Sequence, residues 1–371
     1  MIFSEISNIR LVNQQISATS FRSAQEIVSW MGAMQALDFA MAKWAIGTRL
    51  PGSDEKDIEN AINKGEIIRT HLLRPTWHFV SSNDIYWMLE LTAPAIKSSM
   101  KSRHKELDIN VLLLEKYLNF IQKSLEGGSH LTREEIVAVL KKEKIVTENN
   151  RASHILFMAE LDGIICNGIL KNKKQTYALL NERVPKKRNI TKEEALEKLA
   201  NRYFVSHGPA TLQDFSWWSG LPAGAARNAL EMAKPGLISE KTDSNTYWMS
   251  GSSPVTLKDK TQVYLLPAYD EFLISYRDRN PSLSHINNKK TISVNGIFKP
   301  LIILNGQVTG IWKRTIKNEK VIVETFFFKQ QLSKSAKILI EKKAEAFGKF
   351  LDKKAEVIFH KPNDAAIPGE I

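Results

Sequence analysis

The chain has 371 residues, room for two or three domains, and its 43% hydrophobic and 25% charged composition is that of a folded globular protein rather than a disordered or fibrous one. Lys and Arg (52) exceed Asp and Glu (40), and the resulting net charge of +12 favours a polyanionic partner and electrostatic steering toward it. The single cysteine, Cys166, excludes an intrachain disulfide. No apolar run approaches the roughly 18 residues of a membrane span, and positions 1–10 lack a basic start followed by an apolar core, so a cytoplasmic protein is expected.

Ser23-Ala24-Gln25-Glu26 forms a capping box, and Ile27, Trp30, Met31 and Met34 continue it as the apolar stripe of a helix that stops near Gly32. Asp38 is placed to cap a second helix that runs to Leu50, ahead of Pro51-Gly52, and a third helix over about 54–64 ends at Gly65. Between the first two lies a short extended crossing. Side chains two apart in such a crossing share a side, which puts Gln35 with Leu37 and turns Asp38 toward the helix it caps. The run 67–80 has strand composition, with Arg69, His71, Arg74 and His78 spaced among apolar residues. Three helices followed by a strand-rich hairpin is the order of a winged helix module.

That order recurs. After a helical bridge over 84–125, broken at Pro94, Thr132-Arg133-Glu134-Glu135 caps a helix, another covers 150–161, and 164–180 alternates strand and turn residues around the tip Lys171-Asn172-Lys173-Lys174. Thr191-Lys192-Glu193-Glu194 opens a third copy, with helices to about 204, over 211–218 and over 222–233, and a hairpin over 237–249. Three capped units in the same order argue for tandem repeats. Past Gly251 the character turns to strand, at 263–266, 298–304, 308–315 and 321–328, with Asn305-Gly306 as a hairpin turn. A helix over 333–351 and a strand over 355–360 complete the chain. The expected architecture is α+β: winged helix modules at 1–82, 131–188 and 189–252, a helical bridge at 83–130, and a β-rich, barrel-like domain at 253–371.

The histidines include no pair at a usual ligand spacing, and there is no phosphate-cradling glycine loop or nucleophile elbow, so neither a metal nor a cofactor is called for. A winged helix places its last helix in the major groove and its hairpin beside the phosphates. That makes Arg151, Ser153 and His154 of one unit, and Arg227 and Asn228 of another, candidate contacts to double-stranded DNA. Lys171, Lys173, Lys174, Lys186, Lys187 and Arg188 are candidates for phosphates, as are Arg69, Arg74, Lys313 and Arg314. His78, between Trp77 and Phe79, reads first as a buried structural histidine and second as a catalytic one. The adjacent acids Asp270 and Glu271 read equally as a helix cap with a salt bridge to Arg277 or Arg279 and as part of a site.

Five segments in order carry a resemblance: Gly32-Ala33-Met34-Gln35-Ala36-Leu37-Asp38, Arg74-Pro75-Thr76-Trp77-His78, Ser206-His207-Gly208-Pro209-Ala210-Thr211, Leu265-Leu266-Pro267-Ala268-Tyr269-Asp270-Glu271 and Gly306-Gln307-Val308-Thr309-Gly310-Ile311-Trp312-Lys313. Over nearly its whole length the chain resembles the winged helix DNA glycosylases related to the azinomycin-resistance glycosylase. The resemblance implies three winged helix units and a barrel-like C-terminal domain around a DNA-binding concavity. It also implies metal-independent hydrolysis of the N-glycosidic bond of alkylated or crosslinked purines. The family's catalytic motif is Gln, a small or apolar residue, then Gln or Asp. Gln35 and Ala36 match it, and Leu37 stands at the second polar place.

Gln35 can accept a hydrogen bond from the attacking water and Leu37 cannot; losing such a group costs about 10²–10⁴ in rate. Three readings stay open. One is an active, monomeric glycosylase built on Gln35, with Asp38 as a substitute for the missing group. The others are a catalytically silent DNA-binding sensor or regulator, and a protein-interaction scaffold.

Overall fold

The computed structural model describes residues 1–186, 190–242, 245–252, 261–328 and 332–360. The chain opens with a helix that the sequence pattern does not announce, α1 (Phe3–Asn13). Next come α2 (Ala24–Met31), β1 (Ala33–Gln35), α3 (Phe39–Gly47), α4 (Glu55–Asn63), β2 (Ile67–Leu72) and β3 (Thr76–Ser81). Ser23 caps α2 through the capping box, and Asp38 caps α3 by accepting from the Met41 amide at 3.1 Å. Gly32 sits at φ +78°, a left-handed value that lets the chain leave α2 and enter β1 at once. The crossing is therefore a third strand. It pairs antiparallel with β3 in a sheet of order β1-β3-β2, which sets Gln35 opposite His78.

The bridge consists of α5 (Ile85–Ser99), α6 (Lys101–Glu106) and α7 (Val111–Leu125). The expected break at Pro94 is absent: α5 runs through it, and the helix path changes only at Met100. The proline deprives the Glu90 carbonyl of its partner, and Glu90 is exposed, so water can serve that carbonyl instead.

The next unit holds β4 (Leu131–Thr132), α8 (Arg133–Lys142), α9 (Arg151–Leu161), β5 (Ile165–Asn167), β6 (Thr176–Leu179) and α10 (Leu180–Arg183), with sheet order β4-β6-β5. It is followed by α11 (Lys192–His207), α12 (Leu212–Ser219), α13 (Ala223–Ala233) and the hairpin β7 (Leu237–Lys241) and β8 (Thr246–Ser250).

The last region contains β9 (Val263–Leu266), α14 (Glu271–Ile274), α15 (Asn288–Thr291), β10 (Leu301–Leu304), β11 (Gln307–Ile316), β12 (Lys320–Phe327), α16 (Lys334–Phe350) and β13 (Lys354–His360). Asn305 and Gly306 turn β10 into β11 with φ of +51° and +79°. The sheet order is β13-β12-β11-β10-β9, with β13 parallel to β12. The expected barrel-like closure is not formed among the described residues, because β13 and β9 are two unjoined edges. The chain is α+β, and no helix among the described residues is long and apolar enough to cross a membrane.

Two cores meet at the first sheet. Met34, Ile67 and Phe79 lie in a core shared with α2 to α4 and, through Trp44, Trp312, Phe347 and Phe350, with the C-terminal sheet and α16. Ala33, Ile68, Leu72 and Val80, on the alternate face, lie in a core with α5 and α11 to α13, built on Tyr203, Phe204, Phe215 and Trp218. Helix α1 joins the two halves from below. Arg10 donates to the Pro209 carbonyl at 3.0 Å, Asn13 to that of Gly208 at 2.8 Å, and Gln14 to the Tyr276 hydroxyl at 2.9 Å. The turn after α11, the start of α14 and strand β1 thereby converge on one place.

Candidate active site

Gln35 lies at that convergence, 7% exposed. Its backbone amide donates to Glu271 Oε1 at 2.6 Å. Its side-chain Oε1 accepts from the Ala36 amide and the Thr76 hydroxyl, both at 3.1 Å, while its Nε2 has no partner among the described residues. The rotamer is thus pinned through the oxygen; the NH2 group is open, and rotation of the Thr76 hydroxyl would free an acceptor site on Oε1.

Glu271 is 1% exposed. Burial opposes its charge, but His207 (Nε2 at 3.7 Å), the Ser275 hydroxyl and the Gln35 amide outweigh that, holding the carboxyl down at about 2. His207 is itself fully buried; burial lowers its proton affinity against the pull of Glu271. His78 is sealed beneath Gln35, with Nδ1 on the Thr76 carbonyl at 3.1 Å and Nε2 buried without a partner. Burial first, and the Arg74 charge second, push it down to about 3, so it is a neutral imidazole at physiological pH and out of a substrate's reach.

Arg74 closes this wall from the hairpin turn, its Nε and Nη2 buried without hydrogen-bond partners among the described residues. Burial lowers its pKa and the facing Glu271 raises it. Its guanidinium stands 5.7 Å from the Trp217 ring centroid and that of Arg279 stands 5.4 Å from the same ring, while the indole N–H is held on the Ile274 carbonyl at 2.9 Å. A close approach sets this contact: a Cβ on Gly220, at the end of α12, would meet the Leu73 carbonyl at 2.4 Å.

In front of the wall, Leu37 is 43% exposed and lines an open cleft of 690 Å³ together with Asp38, Tyr269, Phe298, Lys313 and Arg314. Gln35 is not among the cleft's lining residues. The expectation that Gln35 and Leu37 share a side is not met at this cleft: bonding to β3 runs on through the Ala36 amide, which donates to the Trp77 carbonyl at 2.8 Å, and Leu37 lies beyond that last bond, exposed where Gln35 is buried. Asp38 is engaged twice, as the α3 cap and with Arg314 at 3.5 Å. Tyr269 adopts φ +59°, unusual for a non-glycine residue and typical of strained backbone at ligand-facing turns.

The other sequence candidates divide into braces and free cations. Arg69 is 8% exposed and commits Nε to the Ala36 carbonyl (3.0 Å) and Nη1 to Gln175 (2.6 Å), with its guanidinium 4.4 Å from the Trp77 centroid. Burial lowers its pKa to about 10; it supports the Gln35 loop and is not presented to phosphates. Arg151 is likewise turned inward, onto the carbonyls of Leu107 and Asp108. His154 is 7% exposed and α9 packs on β2, α5, α7 and β5, so this helix offers no free face to a groove. Arg227 on α13, Lys173 and Lys174 at the tip before β6, Lys186 and Lys313 are exposed, and Lys171 is exposed while its Nζ meets the His130 carbonyl. Lys187 and Arg188 lie outside the described residues.

Asp270 caps α14, as one of its two readings has it, but its buried salt bridge is with Arg49 (2.8 and 2.9 Å) rather than with Arg277 or Arg279. Sequence reasoning missed Arg49 and gave His207 no role; the bond that brings Glu271 to Gln35 spans 236 positions and leaves no local signal.

Residues 28–350 match the model of the AlkZ-like DNA glycosylase family. None of the curated proteins matches the chain. Among solved structures, the DNA glycosylase AlkZ of Streptomyces sahachiroi superposes with a TM-score of 0.79 at 17% identity, over 96% of this chain and 100% of that one, a likeness of fold. By its family match over most of its length, this chain belongs to the AlkZ-like DNA glycosylases.

Proposed function

We propose that the protein is a metal-independent DNA glycosylase acting on alkylated or crosslinked purines in double-stranded DNA, with Gln35 as its catalytic residue. The observation that carries this reading is the pinned Gln35, its backbone amide held by the ionised, buried Glu271 and its side-chain oxygen shared with a rotatable hydroxyl. An alkylated purine leaves readily because it is already cationic; what the protein must supply is a held water and support for positive charge on the sugar. When the Thr76 hydroxyl turns away, Gln35 Oε1 accepts from that water. The negative charge of Glu271 acts through a low-dielectric wall, offset in part by the facing Arg74 guanidinium, while the neutral His78 adds no further positive charge. Asp38, committed to its cap and to Arg314, keeps the loop in place rather than replacing the missing motif residue.

In this reading the three helix-and-hairpin regions are winged helix units with boundaries at 1–82, 131–188 and 189–252, the protein works as a monomer, and the exposed cations Arg227, Lys313, Lys173 and Lys174 meet the backbone.

Incubating excess protein with a duplex bearing 7-methylguanine tests the proposal, abasic sites being the expected product. Absence of excision with duplex binding intact would overturn the enzyme reading in favour of a silent DNA-binding sensor, which the apolar Leu37 in the cleft specifically favours. The scaffold reading survives only if duplex affinity is negligible even at low salt, where counterion release makes DNA binding strongest.

A further inference from the structure

A second cavity, of 360 Å³, lies on the other face of the first sheet from Gln35: Trp77 and His71 line it, while their strand neighbours His78 and Thr70 face the Gln35 side. His154 and Phe157 of α9 form its far wall, and Arg103 and Arg133 stand at its mouth. Three features point to an anion. Helix α9, eleven residues long, begins here with Asn150 making no side-chain cap; the amides of Arg151, Ala152 and His154 are bonded to the carbonyls of Glu148, Thr147 and Asn150, and in this first turn the Ser153 amide has no backbone partner among the described residues. His154 is 7% exposed, and neither of its ring nitrogens has a hydrogen-bond partner among the described residues. Arg133 Nη2 donates to the Ser153 hydroxyl at 2.8 Å, which holds a guanidinium beside that open amide; no carboxylate is among the described residues that line the cavity, and Arg103 at its mouth pairs with Glu106 at 2.6 Å.

We propose that this cavity binds a phosphate of the DNA backbone, held by Arg133, the Ser153 hydroxyl and amide, and His154, with Arg103 at the rim. The inference rests on the DNA-binding part of the proposed function and assigns α9 a role different from that of a groove-reading helix. The helix is too buried to enter a groove, yet its N-terminus can take a phosphate end-on. Trp77 belongs both to this cavity and to the strand that carries Thr76, so a phosphate fixed here anchors the strand against the hairpin that pins Gln35. Burial also keeps His154 neutral, pushing it down to about 4, which leaves one ring N–H as donor and one ring nitrogen free.

The test is duplex binding by fluorescence anisotropy across a salt series, with the full chain and its Arg133→Ala and Arg103→Ala variants. Arg133 is exposed, so its removal is expected to leave the melting temperature within error of the wild type. Arg133→Ala is expected to weaken low-salt binding about 5- to 10-fold and to reduce the slope of log K against log salt by about one. Arg103→Ala gives a smaller loss. As an independent reading, inorganic phosphate titrated into labelled protein shifts the His154 ring resonances in the wild type and not in Arg133→Ala. Wild-type binding with an unchanged slope in Arg133→Ala and no His154 shift overturns the phosphate site and leaves the glycosylase reading standing. No wild-type binding at low salt overturns both.

Discussion

Gln35 and Leu37 are two residues apart and belong to physically different regions. Behind Gln35 is a wall of buried polar groups, Glu271, His207 and His78, closed by the half-buried Arg74, whose Nε and Nη2 are shut off from solvent. In front is the open cleft of Leu37, where Lys313 and Arg314 are reached by solvent and their fields are screened by salt. The wall is suited to chemistry, because preorganised dipoles in a low dielectric act strongly and need not reorganise. The cleft is suited to capture, where side chains can change at little cost to the fold. A motif substitution at position 37 therefore alters the capture surface while leaving the pinned glutamine untouched.

Substitutions that break the wall should have large effects and those in the cleft small ones. Arg49→Ala leaves Asp270 as an uncompensated buried charge and also frees the Gln14 carbonyl, so it should destabilise the fold by about 3–5 kcal/mol in chemical denaturation. A midpoint within error of the wild type would mean that the wall is not rigid. Glu271→Gln keeps the shape and removes the charge; excision should fall by about 10- to 100-fold with duplex affinity intact, as for loss of one electrostatic contributor. If binding and excision fall together, Glu271 is a folding residue only.

The wall also predicts acid lability. The pKa of His78 is depressed in the fold, at about 3 against 6.5, so between those values the unfolded chain binds the extra proton. The stability this contributes is complete above pH 6.5 and is lost as pH falls toward 3, at up to about 1.4 kcal/mol per pH unit per group. His154 acts in the same direction toward about 4, and Glu271 adds its loss from 4.5 toward about 2. Denaturation midpoints from pH 7.5 to 4 should fall less steeply for His78→Asn, and an identical slope would show that His78 is not buried neutral.

The smallest effect belongs to the cleft. Leu37→Gln, at a 43% exposed position in a cleft that Gln35 does not line, should change stability by less than about 0.5 kcal/mol and leave excision within about 2-fold of the wild type, a rise of about 10-fold contradicting the division between wall and cleft. Unchanged excision would confine the cleft to capture.

What the sequence made legible was local. The capping boxes at Ser23, Thr132 and Thr191, the Asp38 cap and the Asn305-Gly306 turn lie where spacing placed them, since each is settled by residues within one turn. Helix α1 was illegible because its buried residues mix Ile6, Ile9 and Leu11 with Ser7, Arg10 and Asn13, which blurs an apolar stripe: Arg10 and Asn13 find their partners 199 and 195 positions away. Arg69 looked like a phosphate contact and Arg151 like a contact of a groove-entering helix, as spacing marks a side chain as cationic but not whether a distant carbonyl has claimed it. Gln35 was legible as a candidate and its support was not, because Glu271 reaches it only through the packing of α14 against the first unit.

The central claim is that Gln35, held by the wall, performs the excision. The most direct measurement is the single-turnover rate of 7-methylguanine release from duplex DNA by wild type and Gln35→Ala, with binding measured in parallel. A fall of about 10²–10⁴ in rate at unchanged affinity is the predicted result. Equal rates in the two proteins would contradict the assignment of catalysis to Gln35.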